Sequence, residues 1–285
     1  MKRLSDHISE LLGEQVVVRQ TLSGGSISAA RLLESRRNQY FLKVNSEPFA
    51  LDMFQVEAEG LKLIEQSDTI AVPHVHLVGA YENQSFLLMD YVESKRPVAV
   101  DSRALGSRLA AMHQIKADSF GLDFDNYIGK LPQSNNKTSD WSHFYWQERI
   151  LPQLEMAHAK GLLRKEEIPT VERAIAVFDQ LLDDVSSSLL HGDLWGGNYL
   201  IASSGKPYLI DPAVYYGDPM VDIAMSKLFG GFSPDFYESY HDVITRSSNY
   251  QERIDLYQLY FLLVHLNLFG SGYYSGVSRL LRKYF

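Results

Sequence analysis

Near Val92 the apolar pattern of this chain shifts to a helical period and mostly stays there, and that shift limits the fold more than any other feature. Before it, residues 15–22, 27–34 and 39–44 are short runs rich in Val, Ile, Leu and aromatic side chains. Gly24-Gly25 and Arg36-Arg37-Asn38 separate them, which predicts antiparallel hairpins. Leu4, Ile8, Leu11 and Leu12 recur at helical spacing ahead of these runs, with Gly13 as a C-cap. Residues 49–66 are also helical, since Phe54, Ala58 and Leu61 share a face. Two further strands are expected at 74–80 and 85–91. After Val92 helical spacing dominates, over 102–114, 140–160, 165–184, 219–229, 234–245 and 251–269. The expected class is α+β: a small β-rich part, 1–92, with one main helix, then a larger and mostly helical part, 93–285. Such a two-part chain commonly takes a ligand where its parts meet.

At 285 residues the chain is long enough for two packed parts, and 45% hydrophobic with 22% charged residues supports a sizeable core. A formal net charge of −8 opposes nucleic acid and anionic membrane as partners. The basic run at Arg36-Arg37 is too brief to reverse that field. Cysteine is absent, which excludes thiolate nucleophiles, disulfides and cysteine-based metal centres. The first residues, MKRLSDHISELLGEQ, lack the apolar segment of a signal peptide. The most apolar tract, 256–269, contains Gln258, His265 and Asn267, so a buried helix is expected and not a membrane span. These features together predict a cytoplasmic protein.

The densest cluster of chemistry-bearing residues lies in LLHGDLWGGNYLIASSGKPYLIDPAVYYGDP, residues 189–219. Asp193 and Asn198 stand five apart across a glycine-rich loop, and Asp211 follows a short hairpin. Two carboxylates and an amide oxygen make a hard donor set, suited to Mg²⁺. Phosphoryl transfer needs such parts: a base for a hydroxyl proton, and oxygens to hold the metal on the phosphates. HxD, then Asn, then Asp after a hairpin is the arrangement of the protein-kinase-like superfamily.

That arrangement calls for a lysine on the third strand and a glutamate on the helix of the small part. Lys43, in YFLKV, is on the third expected strand, with Leu42 and Val44 on its opposite face. Glu57 lies mid-helix, with Glu59 as rival. Two positions apart on a helix they point about 200° apart, so only one can face the lysine. Ser23-Gly24-Gly25-Ser26 joins the first two strands, and the backbone of Gly24, Gly25 and Ser26 could approach phosphate; any tight hairpin turn has the same composition. Met89-Asp90-Tyr91-Val92 ends the last strand of the small part. In kinases this hinge offers adenine a carbonyl and an N–H, here from Asp90 and Val92.

The chain resembles the kinase-like superfamily over nearly its whole length, and its departures narrow the comparison. HGD replaces HRD, Asp211-Pro212-Ala213 replaces DFG, no GxGxxG loop is present, and a helix starting by Pro219 leaves no room for a long activation segment. These features are similar to the small-molecule branch, with aminoglycoside and choline kinases. HGDLWGGN, IDPAVYYGDP, PQSNN with SDWSHFYWQER, and LSGGSISAARLLE together resemble the fructosamine kinase (ketosamine-3-kinase) family. The resemblance implies a two-lobe kinase fold and ATP-dependent phosphorylation of a ketosamine, an early sugar adduct on an amine, at its 3-hydroxyl, as in deglycation repair. It implies Asp193 as the base, Asn198 and Asp211 as Mg²⁺ ligands, and Lys43 as the phosphate-binding lysine paired with Glu57. Kinases of choline-type alcohols or amino sugars, and a catalytically inert nucleotide-binding scaffold, are the competing functions. The joint presence of Lys43, Asp193, Asn198 and Asp211 speaks against the scaffold.

For the glycated substrate, Trp195, two residues from the base, is the first candidate for a wall. Trp141, Tyr145 and Arg149 share a helical face at i, i+4 and i+8; a stripe of this kind serves either a sugar pocket or a core. Asp218 is either structural or near the substrate. His191 is expected to brace its loop, Asp222 to bond the loop backbone, and His113 to be a satisfied core histidine.

Overall fold

Gly13 takes φ 70°, the left-handed conformation that costs glycine least, and so closes the first helix. The computed structural model describes residues 3–22 and 28–285. The first stretch carries α1 (Leu4–Leu12), β1 (Val17–Leu22), β2 (Ala29–Glu34), β3 (Gln39–Asn45), α2 (Ala50–Gln66), β4 (Val75–Tyr81), β5 (Gln84–Asp90) and β6 (Ser94–Lys95). The middle stretch carries α3 (Ala99–His113), β7 (Asn126–Ile128), β8 (Leu131–Gln133), α4 (Trp141–Phe144), α5 (Leu151–Ala159) and α6 (Val171–Leu181). The last carries β9 (Ser188–Leu190), β10 (Tyr199–Ala202), β11 (Pro207–Leu209), β12 (Tyr215–Gly217), α7 (Met220–Leu228), α8 (Pro234–His241), α9 (Tyr250–Phe269) and α10 (Tyr274–Tyr284). By packing the chain divides into two units: Met1–Pro97 with Leu200–Asp211, and Val98–Tyr199 with Pro212–Phe285.

The first unit is built on a five-stranded antiparallel sheet in the order β1-β2-β3-β5-β4. Alternation along β3 sends Tyr40, Leu42 and Val44 to one face, where they pack with Leu33, Phe86, Leu88 and with Leu4 and Ile8 of α1. Lys43 points to the other face. There α2 lies against β4 and β5. Phe54, Leu61 and Ile64 of α2 are buried at helical spacing. Residues 200–211 are in this unit because β10 pairs with β6, Ile201 opposite Lys95, and Tyr208 bridges to Ala71.

The second unit is helical around α9, whose Leu256, Leu259, Tyr260, Leu263 and Leu266 are buried. α7, α5 and α10 pack on α9, and α3 packs on α8. Periodicity predicts one helix over 140–160, but Tyr145–Ile150 is a π-helical turn between α4 and α5. Pro152 explains it: without an N–H it cannot donate to the Glu148 carbonyl one turn back. That carbonyl accepts from the Arg149 guanidinium instead, at 3.0 Å. The expected helix over 165–184 is likewise split. Ile168, ahead of Pro169, is extended with ψ 117°, and Thr170 then caps α6 through the Arg173 N–H. Among the described residues no helix is long and apolar enough to cross a membrane.

Candidate active site

In the first unit, Lys43 Nζ donates to Glu57 Oε1 at 2.7 Å and to Asp211 Oδ1 at 2.6 Å. The strand aims the lysine off the core face, and α2 presents Glu57 to it. Glu59 faces solvent and pairs with Lys62 at 3.7 Å. Burial works against the lysine charge, but the Asp211 and then the Glu57 carboxylates outweigh it, so the Lys43 pKa is raised above the ordinary value. Asp211 has φ 56°, a left-handed conformation rare outside glycine, and Pro212 follows it. Met89 is buried at the end of β5. The Asp90 N–H donates to the His74 carbonyl at 2.9 Å, and its carboxylate meets His76 Nε2 at 2.7 Å. Val92 is half-buried just beyond. Gly24, Gly25 and Ser26 lie outside the described residues.

In the second unit, β9 delivers the chain into the loop His191–Asn198. Asp222, fully buried on α7, accepts from the backbone N–H of His191 at 2.7 Å and of Gly192 at 2.8 Å. His113 Nε2 is 3.0 Å from the same carboxylate; a carboxylate only accepts, so this nitrogen carries a proton. Burial alone would raise the Asp222 pKa, and the His113 hydrogen bond and charge reverse this and hold it below the usual range. Gly192 is at φ 83°, and a Cβ there would run into the Ala213 carbonyl oxygen. The Asp193 N–H donates to His191 Nδ1 at 3.2 Å, so the imidazole braces the loop. Asn198 Nδ2 donates to the Asp193 carbonyl at 2.9 Å and to its Oδ2 at 3.1 Å. With that nitrogen committed, a cation would meet the Asn198 Oδ1. Trp195 is 42% exposed.

Among the described residues no three acidic or imidazole groups converge on a cation. The Asn198 Oδ1 and the Asp211 carboxylate are each, by chemistry, hard oxygen donors of the kind Mg²⁺ takes.

The remaining candidates are packed inside the second unit. Trp141 donates from Nε1 to the Tyr257 hydroxyl at 3.0 Å and lies among Phe120, Phe144 and Tyr145. The Tyr145 hydroxyl donates to the Tyr257 carbonyl at 3.3 Å. Arg149, 0% exposed, donates to the Ser134 carbonyl and to Asn135 Oδ1, each at 2.6 Å, with the Tyr215 ring 4.0 Å from its guanidinium. Asp218, 2% exposed, accepts from Tyr257 at 2.5 Å, Arg253 at 3.2 Å and the Met220 N–H at 2.8 Å. Buried side chains of this kind anchor the walls of the unit. Periodicity did not single out Asn126 and Gln133, buried polar groups on strands of three residues that carry too little pattern, nor Tyr260, which a helix buried all round presents like any core residue.

The model of the fructosamine kinase family matches residues 1–285. A "Probable ketoamine kinase" of Vibrio parahaemolyticus is 39% identical over 287 residues, covering 99% of this chain and 96% of that one. Another, of Synechocystis, is 36% identical over 285 residues, covering 98% and 95%. A Haemophilus somnus protein solved under the name "Putative fructosamine-3-kinase" has a TM-score of 0.88 at 29% identity, over 99% of this chain and 96% of that one. An aminoglycoside phosphotransferase, APH(4)-Ia, solved with ADP and hygromycin B, has a TM-score of 0.65 at 17% identity over 99% and 98%, a likeness of fold.

Proposed function

This chain belongs to the fructosamine kinase family, and we propose that it moves the γ-phosphoryl group of ATP to the 3-hydroxyl of a ketosamine, an early step in reversing glycation. It is an ATP-dependent kinase of protein-kinase-like fold. The observation that carries the reading is Lys43 held at once by Glu57 and Asp211. A buried ammonium fixed on two carboxylates is ready to meet phosphate oxygens, and Asp211 is then available to a cation.

In this reading Asp193 accepts the proton of the sugar hydroxyl as its oxygen bonds to phosphorus and the bond from phosphorus to the ADP oxygen breaks. Asn198 orients Asp193 through its amide nitrogen and would hold Mg²⁺ through Oδ1, together with the Asp211 carboxylate. Mg²⁺, when bound, would supply charge neutralisation on the phosphates. The hinge backbone at Asp90 and Val92 would take adenine, Gly24, Gly25 and Ser26 would approach the phosphates, and the exposed Trp195 indole would wall the sugar. The hydroxyl is a weak nucleophile, so alignment contributes more than base strength.

An ATP-consumption screen over ketosamines, amino sugars and choline, in Mg²⁺ and in EDTA, tests this. Turnover is expected with ketosamines and Mg²⁺; turnover confined to amino sugars or choline would replace the substrate assignment. Asp193→Asn keeps the shape and removes the charge. It should lower kcat by about 10²–10⁴-fold with ATP affinity little changed.

A further inference from the structure

Two sequence motifs, PQSNN and FYWQER, have no part in phosphoryl transfer as described, yet the fold locks them together behind the loop that carries Asp193. Gln133, the second residue of PQSNN, is 2% exposed at the end of β8. Its Oε1 accepts from the Tyr260 hydroxyl of α9 at 2.5 Å, and its Nε2 donates to Asn126 Oδ1 at 2.8 Å and to the Ala213 carbonyl at 3.5 Å. Asn126, 5% exposed, donates from Nδ2 to the Val214 carbonyl at 2.7 Å. The arginine of FYWQER holds the next two residues of the hairpin, Ser134 and Asn135.

Ala213 is the residue on which the Asp193 loop rests. Its N–H donates to the His191 carbonyl at 2.8 Å, and Gly192 leaves no room for a side chain against its carbonyl. The loop is thus held from two sides, by Asp222 on its N–H groups and by Ala213 on the other. We propose that Asn126 and Gln133 are positioning residues: a buried amide pair, its last acceptor filled by Tyr260, that fixes the path of Ala213–Val214 and thereby the placement of Asp193. The donor and acceptor order makes the pair directional. The Val214 and Ala213 carbonyls only accept, so Asn126 must present its nitrogen to Val214 and Gln133 its nitrogen to Asn126 Oδ1 and Ala213; the Gln133 oxygen is then left to accept from Tyr260. One flipped amide would set oxygen against carbonyl oxygen in a dry interior.

This rests on the assignment of Asp193 as proton acceptor, and the test separates the two. Asn126→Asp replaces the donor to Val214 with an acceptor at constant shape; Tyr260→Phe removes one hydroxyl and keeps the ring. Both are compared with wild type for kcat, for KM of ATP and of a ketosamine, for thermal unfolding, and for amide hydrogen exchange in a peptide spanning 211–217. Asn126→Asp should lower kcat about 10–100-fold with KM for ATP within about twofold, because only the placement of Asp193 changes. Exchange in that peptide should quicken at temperatures where the fold is intact. Tyr260→Phe should move both in the same direction by a smaller factor, and it serves alone if Asn126→Asp does not fold. Unchanged exchange, or kcat that returns to wild type wherever the protein is fully folded, overturns the proposal. If wild type turns over no ketosamine, the function assigned above fails, and the exchange measurement still decides the brace.

Discussion

At the scale of single residues, the structure separates acids that the sequence presents alike. Glu57 and Glu59 stand on one helix, and only Glu57 reaches Lys43. Glu57→Gln should therefore lower kcat/KM for ATP by about 10–100-fold, and Glu59→Gln should leave it at wild type, as steady-state kinetics will report. Asp222 makes a pH prediction. Its pKa is held below the ordinary value, so the fold favours its charged form. That contribution is complete above the ordinary aspartate value of ~3.9 and is lost as pH falls through the lower folded value. The stability gap between wild type and Asp222→Asn, from urea unfolding, should stay level from about pH 7 to pH 5 and narrow only beneath about pH 4. Lys43 and Glu57 were legible in the sequence because period 2 on a strand and 3.6 on a helix fix where a side chain points. Arg149 was not, since a stripe on one helical face looks the same whether it meets a pocket or a core.

At the scale of elements, most helices and all five strands of the large sheet could be read from periodicity, and the breaks in helices could not. The π-helical turn at Tyr145–Ile150 follows from one missing N–H at Pro152, a local fact that an apolar pattern does not carry. Strands β7, β8 and β12 have three residues each and pair only because tertiary neighbours hold them. The α4 end is simpler. Asp140 accepts the His143 N–H at 2.9 Å as an N-cap. Asp140→Ala should lower the stability of the protein by about 1 kcal/mol. A lower urea midpoint at unchanged m-value, with kcat unaffected once folded, is the expected result.

At the scale of the whole molecule, the first unit is discontinuous in sequence. A boundary near Val92 follows from the change of period, but residues 200–211 belong to the first unit because β10 pairs with β6 and Asp211 meets Lys43. Long-range pairing of this kind leaves no local trace in a sequence. A fragment of residues 1–97 should accordingly melt without a sharp transition. The same fragment with 200–211 joined through a short linker should regain cooperative unfolding, as circular dichroism on heating would record.

Discontinuity also has a consequence in time. A ribosome delivers the chain in order, so when residue 97 emerges the five-stranded sheet has all its strands, but β6 still lacks its partner β10 and Lys43 its second carboxylate. At roughly 5–20 residues per second about 6–23 s then pass before Asp211 emerges in its turn. Through that interval Lys43 has only Glu57 beside it, and the edge at Ser94–Lys95 stays open. Translation speed across residues 98–211 thus becomes a variable in the yield of this protein, and holdase chaperones have their window there.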